Sequence, residues 1–259
     1  MKVFSAKQMR ELDAFTIQSE NISSVELMER AAREVALALM ARWSSSTPFV
    51  VFAGAGNNGG DALAVSRLLI KQGYKVKTYL FNPQYELRPD CQINKERLKV
   101  VPKADFIEVC AQFEPPQITS DMVILDGLFG TGLNKPLTGG FASLVKFINA
   151  SPAKVVSIDM PSGLMCESNL ENNDANIVRA DLTLTFQYPK LALLIDDNYK
   201  YVGELQILDI GLSESYAEKL PSPYQLFDES NVVPLLTPRS PIGHKGTFGH
   251  ALLIAGKYG

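Results

Sequence analysis

Three stretches of this chain carry side chains and backbone that can do chemistry. The first is Gly54-Ala55-Gly56-Asn57-Asn58-Gly59-Gly60-Asp61. The second is Asp126 with the loop Gly127-Leu128-Phe129-Gly130-Thr131-Gly132-Leu133-Asn134-Lys135-Pro136, and the third is Ser157-Ile158-Asp159-Met160-Pro161-Ser162-Gly163. Glycine-rich backbone at the mouth of a helix presents unpaired amides and the positive end of the helix dipole, which suits an anion such as a diphosphate. Asp126 and Asp159 each end an apolar run, where an unpaired carboxylate is penalised unless it meets a cation, a hydroxyl or a backbone donor. Either one alone is as readily a cap on its own turn. Together with the asparagine loop they point to one crevice.

Carboxylate, amide and hydroxyl oxygens are hard ligands that suit Mg²⁺, Ca²⁺ or an alkali ion rather than zinc. The two histidines, His244 and His250, lie far downstream, so no Ser-His-Asp or Cys-His nucleophile is expected within the main body. Lys190 follows another apolar run, in Thr185-Phe186-Gln187-Tyr188-Pro189-Lys190; it is either a reach toward a ligand phosphate or a solvated loop lysine.

The elements that must position these residues read as a β-α-β alternation. Short apolar runs predict strands near 49–53, 76–81, 122–126, 154–159, 182–186 and 205–210. Asp61 through Gln72 predicts an amphipathic helix closed by Gly73 in the left-handed conformation. Two helices come first, because Ser5 with Gln8 and Ser23 with Glu26 match the reciprocal capping box. The second of them carries Val25, Met28, Ala32, Val35 and Leu39 at helical spacing. The expected fold is therefore α/β, a Rossmann-like three-layer α/β/α domain with a mostly parallel sheet, whose ligands bind beyond the carboxyl ends of the strands. The glycine stretch formally matches GxGxxG, but the run 76–81 ends in Phe81-Asn82-Pro83 with no acid for a ribose hydroxyl, which argues against ordinary NAD binding. Asp61, in the first helical turn, favours the dipole but repels a phosphate set directly on it.

With 259 residues, 46% hydrophobic and 20% charged, the chain can bury a full core. A net charge of −3 gives no electrostatic ground for a nucleic-acid partner. Cys91, Cys110 and Cys166 are widely spaced, which argues against a disulfide framework and suits a reducing cytoplasm. There is no signal-peptide core and no apolar run of spanning length, so no membrane is expected. The main domain is expected to cover 1–212. A proline-rich extended connector is expected over 213–240, interrupted by Pro221, Pro223, Pro234 and Pro238, and a separate piece over 241–259.

In the order and spacing of these signatures, with Phe129-Gly130-Thr131-Gly132 and Pro189-Lys190 among them, the chain resembles the NAD(P)H-hydrate epimerase family, the YjeF amino-terminal-domain family, over roughly residues 1–212. Ala62 departs from the glycine common after the motif aspartate. The resemblance implies that Asn57, Asn58, Gly59, Gly60 and Asp61, with Gly130, Thr131, Gly132, Leu133, Asn134, Lys135 and Pro136, hold a hydrated dinucleotide, NAD(P)HX. It implies that Asp159 contacts the reacting ring as the catalytic carboxylate. It implies a potassium ion on Asn58, Asp126 and Ser162, and a homodimer. The stretch His244-Lys245-Gly246-Thr247-Phe248-Gly249 through Ala255-Gly256 resembles the opening of the ADP- or ATP-dependent NAD(P)H-hydrate dehydratase domain, truncated before a nucleotide site or lyase activity could form. The expected activity is thus isomerisation of R and S hydrates. The alternatives are a nicotinamide oxidoreductase, disfavoured by the missing ribose acid, and a non-catalytic nucleotide-binding or scaffold module of the same fold.

Overall fold

The computed structural model describes residues 1–227, 229–236, 246, 252, 253 and 256. They divide into a main unit, Lys2–Tyr224, and a small one formed by Met1 with residues from Gln225 onward. The expected dehydratase-like turn and strand lie almost wholly outside the described residues.

The main unit is built on seven parallel strands: β1 Phe49–Ala53, β2 Val76–Phe81, β3 Asp105–Val109, β4 Val123–Gly127, β5 Lys154–Ile158, β6 Leu182–Phe186 and β7 Glu204–Leu208. Their spatial order is β3-β2-β1-β4-β5-β6-β7, every neighbouring pair parallel. The direction of winding reverses between β1 and β4, the switch point at which such sheets open a crevice. Helices α1 Ala6–Glu20, α2 Ser24–Arg42, α3 Asn57–Lys71 and α4 Pro89–Lys99 share one apolar cluster with one face of the sheet, and α5 Gly139–Ala150 packs on the other. Both predicted capping boxes are formed, by Ser5 with Gln8 and by Ser23 with Glu26. Gly73 is left-handed, with φ 86°.

Two expectations are corrected. Helix α3 begins at Asn57 rather than Asp61, so the asparagines and glycines of the motif form its first turn instead of a loop. The first part of the expected connector is packed, not extended. Ser213 caps the short helix Glu214–Ala217, Tyr216 stacks on Phe15 at 4.2 Å, Ala217 is buried, and Lys2 Nζ donates to the carbonyls of Ala217, Glu218 and Leu220. The prolines begin only at Pro221, and Ser213–Leu220 carries apolar residues enough to dock.

Why glycine is needed in the first motif follows from backbone meeting backbone. A Cβ on Gly59 would stand 1.7 Å from the carbonyl oxygen of Gly54, and one on Gly54 would stand 2.0 Å from that of Leu128. A Cβ on Gly56 would meet nothing within 4 Å. Gly59→Ala is therefore expected to cost more than about 4 kcal/mol or to prevent folding, because neither clashing partner is a side chain that can swing away. Gly56→Ala should stay within about 0.5 kcal/mol of the parent. Urea midpoints of the two variants check this, and equal midpoints would refute it.

Candidate active site

The loops that follow β1, β4, β5 and β6 converge at the switch point. Gly54 N donates to Gly127 O at 3.0 Å, joining the first two directly. Asp126, the fourth residue of β4, has no exposure and accepts four hydrogen bonds. Ser157 Oγ (2.8 Å) and Ser162 N (2.9 Å) donate to Oδ2, and Ser162 Oγ (2.5 Å) and Leu128 N (3.3 Å) to Oδ1. Burial pushes this carboxyl up from its ordinary value, and the four donors pull it back. Ser162 Oγ in turn accepts from Phe129 N at 2.9 Å. Asp126 and Ser162 thus lock the loop after β4 to the loop after β5.

Asp159 follows β5 directly and has a left-handed backbone, φ 65°, unusual for an aspartate. Its N–H donates to Leu184 O at 2.7 Å, which fixes the turn against β6. The carboxylate Oδ1 accepts from Lys190 Nζ at 2.7 Å, and Oδ2 accepts from Thr131 N at 3.3 Å. Lys190 is 1% exposed, and its remaining N–H groups reach Thr185 Oγ1 at 3.0 Å and Phe186 O at 3.3 Å. An ammonium has three donors and all three are used within the protein. Lys190 is therefore not a solvated loop lysine but the buried counter-ion of Asp159.

Asn58 lies beside both loops. A Cβ on Gly130 would fall 3.2 Å from its Cγ and 2.9 Å from Asp159 Oδ2, so Gly130 is the spacer that lets the two side chains approach. Asn58 is 8% exposed, and neither its Oδ1 nor its Nδ2 has a hydrogen-bond partner. Asn57 is exposed, while Gly59, Gly60 and Asp61 are buried in the first turns of α3. Gly60 N donates to Gly56 O, leaving the earlier amides of the helix open to the crevice. Thr131, Leu133 and Pro136 are partly buried, and Gly132, Asn134 and Lys135 are exposed, so 130–136 forms a rim. Hydrogen bonds and close packing bring Asn58, Asp126, Gly130, Thr131, Asp159, Ser162 and Lys190 together, while Asn57, Gly132, Asn134 and Lys135 are exposed.

Asp61 is buried. Burial, first, and the charges of Asp159, Asp13 and Asp90 push its carboxyl well above the ordinary value. Asp13, on α1, is a residue that sequence reasoning missed. Burial raises it to about 6, Lys190 pulls it down and Asp159 pushes it up. The available signal was its place on the inward stripe of an amphipathic helix, where an acid has no packing purpose. Burial raises the Cys91 and Cys166 thiols to about 12, which removes them as nucleophiles. A cavity of about 1260 Å³ opens elsewhere, against the start of β1 and along β2 and β3, lined by Pro48, Lys75, Lys77, Asp105 and Gln117 among others; no residue of the crevice borders it. Among the described residues no helix is long and apolar enough to cross a membrane.

Comparison with known proteins agrees with this geometry. A family model described as YjeF-related protein N-terminus matches residues 24–192. The NAD(P)H-hydrate epimerase of Limosilactobacillus fermentum is 34% identical over 208 residues, covering 80% of this chain and 96% of its own length. That of Oenococcus oeni is 36% identical, covering 81% and 97%. The bifunctional NAD(P)H-hydrate repair enzyme Nnr of Coxiella burnetii is 34% identical over 99% of this chain, which spans only 51% of that relative. The crystal structure of the yeast protein ynu0 superposes with a TM-score of 0.68 at 21% identity, covering 89% of this chain and 98% of the yeast one, and shares the fold. With more than half of its residues matched by the family model, and relatives of about one-third identity covered almost end to end, the chain belongs to the family of YjeF-related protein N-termini.

Proposed function

We propose that the chain is an isomerase that interconverts the R and S forms of hydrated NAD(P)H, as its relatives' names say of them. The observation that carries this reading is the buried Lys190–Asp159 pair, set in a strained turn at the switch point beside the open amides of α3. Strain and a buried ion pair are costs that a purely structural turn has no reason to keep.

In the hydrate the hydroxyl stands on a carbon bonded to the ring nitrogen. The nitrogen lone pair can expel it as water once a proton is supplied, leaving a cationic ring open to water from either face. Asp159 is the group placed to pass that proton. In its acid form it protonates the departing hydroxyl, the C–O bond breaks, and water adding to the opposite face returns a proton to it. Lys190 and Thr131 N hold the two carboxyl oxygens in place. The first-turn amides of α3 take the diphosphate, and Gly56 and Gly132, where an added Cβ would meet nothing within 4 Å, leave room for it. Lys135, exposed on the rim, can meet the phosphates.

The same reading places potassium on Asn58, Asp126 and Ser162. The fit is supported by Asn58, whose buried amide has both polar atoms unpaired, a situation that calls for a partner. All three residues offer hard oxygens. The ion would supply a fixed positive charge tying the two loops together. The reading also includes a homodimer in a reducing cytoplasm, the latter supported by three free thiols. Because the chain aligns along its whole length with half of each bifunctional relative, coupling to an ADP- or ATP-dependent dehydratase belongs to the proposal as well.

Asp159→Asn is expected to keep the fold and most of the binding while lowering single-turnover conversion of pure R-hydrate by about 10²–10⁴-fold. An unchanged rate at saturating substrate would leave Asp159 as a positioning residue only. For the cation, the melting temperature should be higher in KCl than in tetramethylammonium chloride. The difference is on the order of 5 °C when the salt is about a hundredfold above the dissociation constant. Asn58→Ala should abolish that difference. Asp126 is the wrong residue to substitute here, since its loss would undo four hydrogen bonds and the fold with them. Identical melting in both salts would sink the potassium assignment.

A further inference from the structure

The rim 130–136 is exposed along most of its middle, so its geometry is set by what holds its two ends. At the near end Thr131 N donates to Asp159 Oδ2 at 3.3 Å, and Thr131 O accepts from Cys166 Sγ at 3.8 Å. At the far end Leu137 is buried, and its carbonyl accepts from Asn176 Nδ2 at 2.8 Å. Cys166 and Asn176 both belong to one excursion, residues 163–178, which lies between β5 and β6.

That excursion is tied where it leaves and where it returns. Gly163 has φ 101°, and a Cβ there would stand 2.2 Å from Asn176 O, so the returning backbone packs directly on the departing one. Val178 N donates to Ser162 O at 2.9 Å, and Asn172 Nδ2 donates to Gly163 O at 2.8 Å. Asn173 Oδ1 accepts from Ala175 N at 3.0 Å and caps the 3₁₀ turn Asp174–Asn176. From the side of α5, Asn149 donates to Ile177 O and accepts from Arg179 N, both at 2.8 Å. The backbone of Asn176 is thus fixed before and after it, and the residue is 7% exposed. Its Oδ1 is buried without a hydrogen-bond partner. An unmet buried acceptor costs stability, so what the amide contributes at this position is its donor, set on Leu137 O.

We infer that Asn176 is a positioning residue: through Leu137 it sets the far end of the rim, and with it the binding of the dinucleotide, without acting on the reacting ring. The inference rests on the epimerase reading, in which 130–136 lines the substrate. The near end of the rim has its own ties to Asp159 and Cys166, so the carboxylate stays placed when the far end is loosened. Loosening the far end lets Asn134 and Lys135 move away from the phosphates, and the cost of ordering them again falls on binding. Contacts to the phosphates are the same before and during the loss of water. They therefore enter KM and not the rate at saturation.

The test joins kinetics with a readout that does not depend on activity. Asn176→Asp keeps the size of the side chain and removes the donor; Asn176→Ala removes it without adding a charge and serves should the aspartate variant not fold. In either, KM for the hydrate should rise roughly five- to twentyfold, the worth of one buried hydrogen bond, while the single-turnover rate at saturation stays within about twofold of wild type. Amide hydrogen exchange over 132–137 should speed up, and exchange over 126–131 should not. Tyr74→Phe is the control for a merely structural loss. It removes a bond of like length to backbone, Tyr74 Oη to Trp43 O at 2.7 Å, at the other end of the sheet, and should lower the melting temperature while leaving KM and rim exchange unchanged. A wild-type KM in the Asn176 variants overturns the inference, and so does unaltered exchange over 132–137 or a loss that falls on the rate at saturation. If exchange changes as expected but the wild type does not interconvert the hydrates, the epimerase reading has failed and this inference falls with it.

Discussion

The four hydrogen bonds accepted by Asp126 are the interaction on which the rest of the crevice depends. A carboxylate without exposure is stable only when its lone pairs are met, and here the donors come from β5, from the turn beyond it and from the loop after β4. The ionised form accepts all four without a proton of its own to place. Satisfying it pins Ser157 and Ser162, the two ends of the turn that holds Asp159. The left-handed backbone of Asp159 therefore persists because both flanks are fixed and its own N–H is taken by Leu184 O. Local strain is stored there and offset by neighbours that cannot move.

A second constraint is the imbalance of charge around that turn. Asp13, Asp61 and Asp159 share a region in which Lys190 is the ion-pairing cation. Burial and mutual repulsion push the first two upward, so each favours the protonated form in the folded chain. For Asp13 the sign is plain: a folded value of about 6 against an ordinary 3.8 gives stability that is full below 3.8 and is lost as pH rises toward 6. Burial raises Asp61 and Asp126 in the same direction. The site thus works against the stability of the fold at neutral pH, the usual relation between a poised charge cluster and the scaffold that carries it.

Much of the scaffold was legible because periodicity and caps are local. β1, β2 and β6 match the predicted apolar runs at both ends, and the two capping boxes are formed as their spacing requires. β3 was not read, since Asp105-Phe106-Ile107-Glu108-Val109 is a half-exposed edge strand rather than a buried run. Helices α4 and α5 were not read either; α4 is polar over most of its length, and α5 opens on two glycines. The start of α3 was misplaced for a related reason. Glycine normally argues against helix, and here it is required because the first turn packs backbone against backbone on Gly54. The convergence of Asp126 and Asp159 on one crevice was legible from strand ends alone. The partner of Asp159 was not, because Lys190, Thr185 and Asp159 are brought together only by the pairing of β5 with β6.

The two ends of the crevice then make opposite electrostatic demands, and the sheet's switch point is what keeps them apart. At the α3 end the open amides and the dipole favour negative charge. At the Asp159 end the carboxylates favour positive charge. An ionised Asp61, one turn into α3, would spread negative potential into the anion-receptive end, and burial works against that ionised form. A dinucleotide whose ring becomes cationic during reaction while its phosphates stay anionic matches that polarity along its length. An ordinary dehydrogenase site would instead place an acid for the ribose at the end of β2, where Asn82 donates to Glu108 Oε1 and that glutamate is already paired with Lys95. The charge pattern, and not the glycine motif taken alone, is what separates this crevice from the nicotinamide oxidoreductases that share its opening β-α-β unit.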